Sequence, residues 1–311
     1  MATISMGQAI SSGLQLITQR PLAVLAWGFA YVLIAIVPQF LMIGAFLPDL
    51  VSLYRDTIQS ATAGQAPQPS AEMLKIQAEL ARYQPLQILT GILGTAVVNA
   101  AIYRAVLEPE NKAFAYLRLG AQELWVGLVN VVFYLLIVLA IVAALVPVLI
   151  LVGVGAAAGA GTGWAEGLVV FLLACGAAAV VIWVALRLSL ALPLSFSQRS
   201  FRLFESWDMT RGQGWRLFGV AMAVFGIVLA GEIMIFGIAG ALGASGAIAN
   251  LKGLKAFMQH PPSDWLIQAA PWILIGGLFY TVLMGAVLSI VTAPFATIFK
   301  QLSPPDISDT F

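Results

Sequence analysis

The sequence predicts an all-α integral membrane protein. It is read as a six-helix transmembrane bundle with three cytoplasmic interfacial amphipathic helices and a pseudo-threefold hairpin repeat. Three observations predict it. The 311 residues are 61% hydrophobic and only 9% charged, with a mean hydropathy of +0.96. A soluble domain carries about 25% charged residues, so this chain has too little polar material to cover a water-facing surface. Six apolar stretches are each long enough to cross hydrocarbon, which takes about 20 residues in a helix. A short amphipathic segment precedes every second stretch.

The apolar stretches run over residues 22–47, 86–106, 124–154, 167–196, 217–245 and 269–298. They are continuous rather than alternating, and rich in Leu, Ala and Val. Backbone groups in lipid must be satisfied within a helix or a closed barrel, and runs without alternation fit only the helix. Pro38, Pro147, Pro193 and Pro294 lie within or near span ends, where the missing amide donor predicts kinks. The stretch 86–106 carries Asn99 and Arg104 near its end.

Orientation follows from the loop cations. An even number of spans places both termini on one side. Arg20, Arg104, Lys112, Arg118, Arg199, Arg202, Arg211, Arg216 and Lys300 fall on that side, and Arg55, Lys75, Arg82, Lys252 and Lys255 on the other. The imbalance predicts both termini inside. The loop 155–166 holds no cation and the loop 197–216 holds four arginines, which sharpens the contrast. Residues 1–19 contain no Lys or Arg. A secretory signal needs a cationic start, so the first apolar run is expected to remain in the mature chain.

The inside segments share a pattern. Met6, Ile10, Leu14 and Ile17 fall on one helical face in 3–18, and Phe114, Leu117 and Ala121 do so in 110–122. In 198–211, Phe201, Phe204 and Trp207 form an apolar face opposite Arg202, Glu205 and Asp208. Each segment leads through a turn into a span. The unit is interfacial helix, turn, span, outer loop and returning span. Three units fill 1–105, 106–196 and 197–300 of a single transmembrane domain, with a short polar tail at 301–311. Such helices read either as anchors in the headgroup layer or as the frame of a vestibule or docking surface.

The stretch FSQRSFRLFESWDMTRGQGWRLFGVAMAVF (196–225) resembles a recurring signature of YciC-like bacterial inner-membrane proteins. The same signature occurs in the membrane domain joined to some glycerophosphodiester phosphodiesterases. The matching residues are Ser206, Trp207, Thr210, Arg211 and Gly212. The resemblance implies a six-span fold and an inner-membrane location more than an activity. In the fused relatives catalysis belongs to a separate soluble barrel, for which this chain has no room.

Outside, residues 48–85 are broken by Gly64–Pro69. Leu50, Leu53, Tyr54 and Ile58 on one side, and Met73, Ile76 and Leu80 after an N-cap at Ser70 on the other, predict surface helices over the outer mouth. Residues 246–267 are expected to do likewise. Within the membrane, Arg187 and Glu232 are the sharpest features. Arg187 is placed about ten residues, or ~15 Å, from the inner end of its span, and Glu232 slightly beyond midplane. A charge facing lipid there costs ~2.5–3.5 kcal/mol, so both are expected to face the bundle or a wet cavity. They read as a buried ion pair, as a site for an anionic head group or proton-linked step, or with Glu232 nearer the outer surface. Asn99 and Asn130 read as interhelical hydrogen-bond glue before they read as ligands. Gly91 with Gly94, and Gly237, Gly240, Ala241 and Ala244, mark faces for close backbone approach.

Several functions are excluded. One cysteine, Cys175, permits no intrachain disulfide, and one histidine, His260, permits no histidine-cluster metal site. A net charge of +1 with scattered cations gives nucleic acid no basic patch. No phosphate loop and no acid/base dyad is present, so the chain reads as non-catalytic and without cofactors. The expected partners are membrane lipids or a membrane protein complex. The alternative is a channel or transporter for lipid or a small amphiphile, with its polar site near Arg187 and Glu232.

Overall fold

The computed structural model describes residues 4–46, 48–49, 52–53, 71–110, 113–157, 164–259 and 262–303. Among them every regular element is helical. In chain order these are α1 (Met6–Gln19), α2 (Pro21–Tyr31), a π-helical turn (Val32–Ile36) and α3 (Val37–Ala45). Then come α4 (Ala71–Leu107), α5 (Ala121–Ala157), α6 (Trp164–Leu188), α7 (Ala191–Gln198), α8 (Glu205–Met209), α9 (Gly214–Gln259) and α10 (Pro262–Leu302). Six apolar segments are long enough to cross a membrane: Pro21–Ala45, Met73–Leu107, Ala113–Ile150, Gly167–Gln198, Gly214–Gly237 and Ile273–Leu302. They coincide with the six stretches expected from hydropathy.

Proline explains two local irregularities. A proline ring clashes with the carbonyl four residues earlier and donates no hydrogen bond. For Pro38 that carbonyl belongs to Ile34, and the π turn Val32–Ile36 surrounds it. For Pro193 it belongs to Ser189, where the fourth span breaks into α6 and α7. By contrast, α5 runs on through Pro147.

The outer segments differ from expectation. Residues 71–85 form no separate surface helix; they open α4 and continue through Pro85 into the second span. Residues 246–259 likewise prolong α9, and α10 begins at Pro262. The helix continues each span outward, and α9 meets no proline before it ends at Gln259. Ser70, Gly64–Pro69, Leu50, Tyr54, Ile58 and His260 lie outside the described residues.

The chain divides into two compact units. One comprises Arg20–Val98 and Phe225–Leu288. Its tightest crossing lies between α2 and α10. A Cβ on Gly28 would overlap the carbonyl oxygen of Thr281, and one on Gly285 would overlap that of Val24. Only glycine allows this approach. Gly94 meets Ala35 closely, with 2.9 Å from a built Cβ to the alanine methyl, whereas Gly91 and Gly237 face open space. Trp27 is fully buried in this unit, and Phe46 meets Tyr83 edge-on with centroids 5.6 Å apart.

The other unit comprises Met1–Gln19, Asn99–Val224 and Ser289–Phe311. Here α1 buries Ala9, Ser12, Gly13 and Leu16. A Cβ on Gly13 would stand 2.7 Å from Cα of Ile290 in α10. Ser5 N–H donates to Gln301 Oε1 and Gln301 Nε2 donates to Gln8 Oε1, each at 3.0 Å. The packed face is thus the small-residue face. The apolar stripe of Met6 and Leu14 is exposed, with Ile10 and Ile17 half-buried beside it. Small residues win the helix contact because they let backbones approach, and the larger side chains are left outward.

The other two inside segments are not amphipathic helices of the expected length. Residues 113–116 form a single left-handed turn, with φ of 51° at Phe114, 56° at Ala115 and 66° at Tyr116. L-residues pay about 1–2 kcal/mol each for that conformation, so tertiary contacts must hold it. Over 199–211 only Glu205–Met209 is helical, and Arg199 caps α7 in the left-handed region. Phe204 is exposed, while Leu203, Ser206 and Thr210 are the fully buried residues of the segment. Side-chain bonds to the end of α6 select this face over the aromatic one.

Candidate functional site: two arginine corners

Each returning span ends on a cation: Arg104 in the last turn of α4, Arg187 in that of α6 and Lys300 in that of α10. A cation there complements the partial negative charge of unpaired terminal carbonyls. The two arginines are satisfied in opposite ways.

Arg187 is the penultimate residue of α6. That helix has 25 residues, about 37 Å at 1.5 Å each, and so is long enough by itself to cross a hydrocarbon core of about 30 Å. Arg187 thus stands in the last turn of α6, just before the helix breaks at Ser189–Leu190, whereas the apolar run continues to 196. Ser206 reaches that break. Its Oγ donates to the Arg187 carbonyl at 2.8 Å and accepts from Leu190 N–H at 3.2 Å. Thr210 Oγ1, one turn later on the same face, stands 3.4 Å from the same carbonyl.

The side chain of Arg187 lies between indoles. Its guanidinium carbon is 5.6 Å from the ring centroids of both Trp183 and Trp207. The two rings meet edge to face with centroids 4.8 Å apart. Trp207 also packs on a core of Val129, Leu188, Ala191 and Leu203. Nε and Nη1 of Arg187 are buried without a hydrogen-bond partner. The signature residues Ser206, Trp207 and Thr210 thus converge on one residue. Arg211 is exposed, and Gly212 turns the chain toward α9 at φ 78°. Trp183 carries a weaker sequence signal, an indole four residues before a cation near a span end, and hydropathy alone passes over it.

Arg104 is buried, with 1% of its surface exposed. Its Nη2 pairs with Glu123 Oε1, a carboxylate likewise buried in the first turn of α5. The same nitrogen donates to Gln122 Oε1 at 3.0 Å, and Nη1 donates to the Tyr116 carbonyl. Gln122 Nε2 in turn donates to Glu108 Oε1 at 3.1 Å, and Tyr116 OH to the Pro109 carbonyl at 3.2 Å. The guanidinium carbon sits 5.4 Å from the Phe196 ring centroid. This network holds the left-handed turn. Arg104 and Glu123 each stand out as charges at span ends, but no periodicity links residues 19 apart across an irregular loop.

Among the described residues the ion pairs are Arg104–Glu123 and Arg202–Glu205. Neither Arg187 nor Glu232 belongs to one, and Glu232 is exposed on α9. Asn99 accepts a 2.9 Å hydrogen bond from Thr292 Oγ1, an interhelical bond between α4 and α10. Asn130 is half-buried on α5. Arg202 Nη1 donates to Glu205 Oε1 at 2.7 Å, and chiefly this bond holds the Glu205 carboxyl below its usual range. No cluster of metal-ligating side chains occurs among the described residues.

Six apolar helices define a helical, multi-pass integral membrane protein. Compared with known proteins, the chain matches no family model, no curated protein and no solved structure.

Proposed function

We propose that this chain is a non-catalytic protein of a bacterial inner membrane, both termini inside, that works by binding membrane lipid. Its cation-rich ends rest in the anionic headgroup layer, and it belongs with the YciC-like proteins that its 196–225 stretch resembles. One observation carries the reading. Large apolar side chains stand exposed beside cations where the third and fifth spans begin. Phe114 is 86% exposed, Leu119 85% and Trp215 86%, next to the exposed Arg118, Arg211 and Arg216. In water such exposure is unfavourable by about 25 cal/mol per Å² of apolar surface. At a bilayer interface the aromatic and aliphatic groups enter the acyl boundary while the cations meet phosphate.

The test is native mass spectrometry of the gently solubilised full chain with phosphatidylglycerol and phosphatidylethanolamine added in equal amounts. The expected result is preferential retention of phosphatidylglycerol that weakens when Arg118, Arg211 and Arg216 are replaced together by Gln. Equal retention of both lipids by the unaltered protein overturns the reading. Accessibility labelling of a cysteine placed at Ser200 tests the orientation, with protection from outside expected.

A further inference from the structure

We infer that Arg187, with Trp183 and Trp207, forms a discrete binding site for a phosphate oxyanion, supplied by the headgroup of an anionic phospholipid. The inference rests on the lipid-binding reading above and deepens it, because the belt of exposed cations gives a diffuse attraction while this corner gives one defined position.

The contrast in how the cations are neutralised leads to the site. Arg104 meets a carboxylate, a side-chain amide and a carbonyl. Arg187 meets ring faces alone, and no carboxylate lies within ion-pair distance of it among the described residues. Ring faces attract a cation but leave its N–H donors without lone pairs to meet. Nε and Nη1 are the buried, unpartnered donors, which leaves Nη2 as the nitrogen through which an anion first approaches. A guanidinium is a planar array of donors matched to phosphate oxygens, and it keeps its charge at every physiological pH.

Position fits the same ligand. On the lipid-binding reading α6, long enough to cross the hydrocarbon by itself, places Arg187 at its edge, where phospholipid phosphates lie. Trp183 is about half exposed, so its ring offers the acyl–glycerol region a flat apolar wall beside the charge. The backbone beneath is fixed: Ser206 holds the Arg187 carbonyl, and Trp207 is anchored in the Val129–Leu203 core. Arg104 also leaves its Nε buried and unpartnered, but its charge is met by the Glu123 carboxylate; a rigidly supported guanidinium with no carboxylate is the arrangement expected of an anion position.

Native mass spectrometry of the full chain separates the outcomes, with phosphatidylglycerol, diacylglycerol and inorganic phosphate as the probes. The first phosphatidylglycerol adduct is expected to weaken at least about tenfold in Arg187→Gln, with an intermediate loss in Arg187→Lys, which keeps charge but not the planar fork. Diacylglycerol, which lacks the phosphate, is expected to show no such adduct. An unchanged first adduct in Arg187→Gln, or equal binding of diacylglycerol, overturns the site. Competition by millimolar inorganic phosphate supports oxyanion recognition and assigns the source as free phosphate as well as lipid; no competition assigns the lipid alone.

A second measurement guards against misfolding of the variant. In the unaltered protein, phosphatidylglycerol is expected to shift the fluorescence of the Trp183–Trp207 pair, and Trp183→Phe is expected to remove most of that shift. A shift untouched by Trp183→Phe and Trp207→Phe counts against the site. The two readings fail separately. Loss of lipid preference only in the triple belt variant leaves the belt and removes the site. Loss of the first adduct only in Arg187→Gln does the reverse.

Discussion

The corners at Arg104 and Arg187 begin from the same sequence feature, an arginine in the last turn of a returning span, and end in opposite chemistry. At Arg104 the chain brings a carboxylate, an amide and a carbonyl to the guanidinium and closes it off from solvent. At Arg187 it brings two indoles to the guanidinium, and two hydroxyls to the carbonyl of the same residue. A sealed ion pair is a structural lock: it tolerates no loss of either partner. A cation stacked on rings is stable yet retains unmet donors, so it remains able to bind an anion. The difference teaches that charge position along the chain does not set the role of an arginine in a helix's last turn; the segment folded against it does.

The comparison can be broken at its stronger end first. Glu123→Ala leaves Arg104 charged, buried and without its counter-ion, and such losses cost about 3–5 kcal/mol. Thermal unfolding in detergent is expected to show a larger drop than Ser206→Ala, Arg187→Gln or Arg202→Ala produces, with the 113–116 turn becoming protease-sensitive. A small change would mean that water reaches Arg104 and that the lock is not sealed.

Ser206→Ala comes next. It strands the buried Leu190 N–H and frees the Arg187 carbonyl, which predicts a loss of about 1–3 kcal/mol in the same assay. A smaller effect is expected from Arg187→Gln. It removes two cation–ring contacts worth about 0.5–2 kcal/mol each, and it also relieves the cost of the unpartnered donors. The stability change is therefore expected to stay below that of Glu123→Ala. Equal destabilisation by the two would erase the distinction between lock and site.

The smallest effect belongs to the exposed pair Arg202–Glu205. Arg202→Ala is expected to cost under about 1 kcal/mol, because solvent screens the pair. Its pH dependence has a defined sign. The Glu205 carboxyl is held below its usual value by the Arg202 hydrogen bond. Its contribution is thus fully present above the ordinary carboxyl range and is lost as pH falls through the lowered value. Unfolding scans of Arg202→Ala and the unaltered protein are expected to converge under acid conditions; divergence there would show that Arg202 acts through packing instead.

The signature residues show how far the chain can be read without its fold. Ser206 and Thr210 stand four apart, so they share a helical face in any reading, and the same spacing puts Trp207 on an apolar face. What the spacing does not carry is their common target. The Arg187 carbonyl lies 19 residues before Ser206, beyond a helix break that hydropathy passes over. The stripe of Met6, Ile10, Leu14 and Ile17 is likewise legible, yet α1 packs through Ala9, Ser12, Gly13 and Leu16 instead. Closest approach rather than greatest hydrophobicity chose that face. The Gly28–Gly285 crossing leaves no signal either, because each glycine needs a partner backbone that no local pattern names.

The residues by themselves determined that the chain lives in a bilayer and crosses it as six helices, since hydropathy is a sum over about 20 neighbouring residues and needs no distant partner. Proline marked candidate breaks, and the structure realised those at Pro38 and Pro193 while the helix runs on through Pro147. Only the tertiary structure decided which arginine meets a carboxylate and which meets only aromatic rings. That outcome depends on groups brought together by irregular backbone, a left-handed turn in one corner and a broken span in the other, whose conformations are held by the very contacts they create.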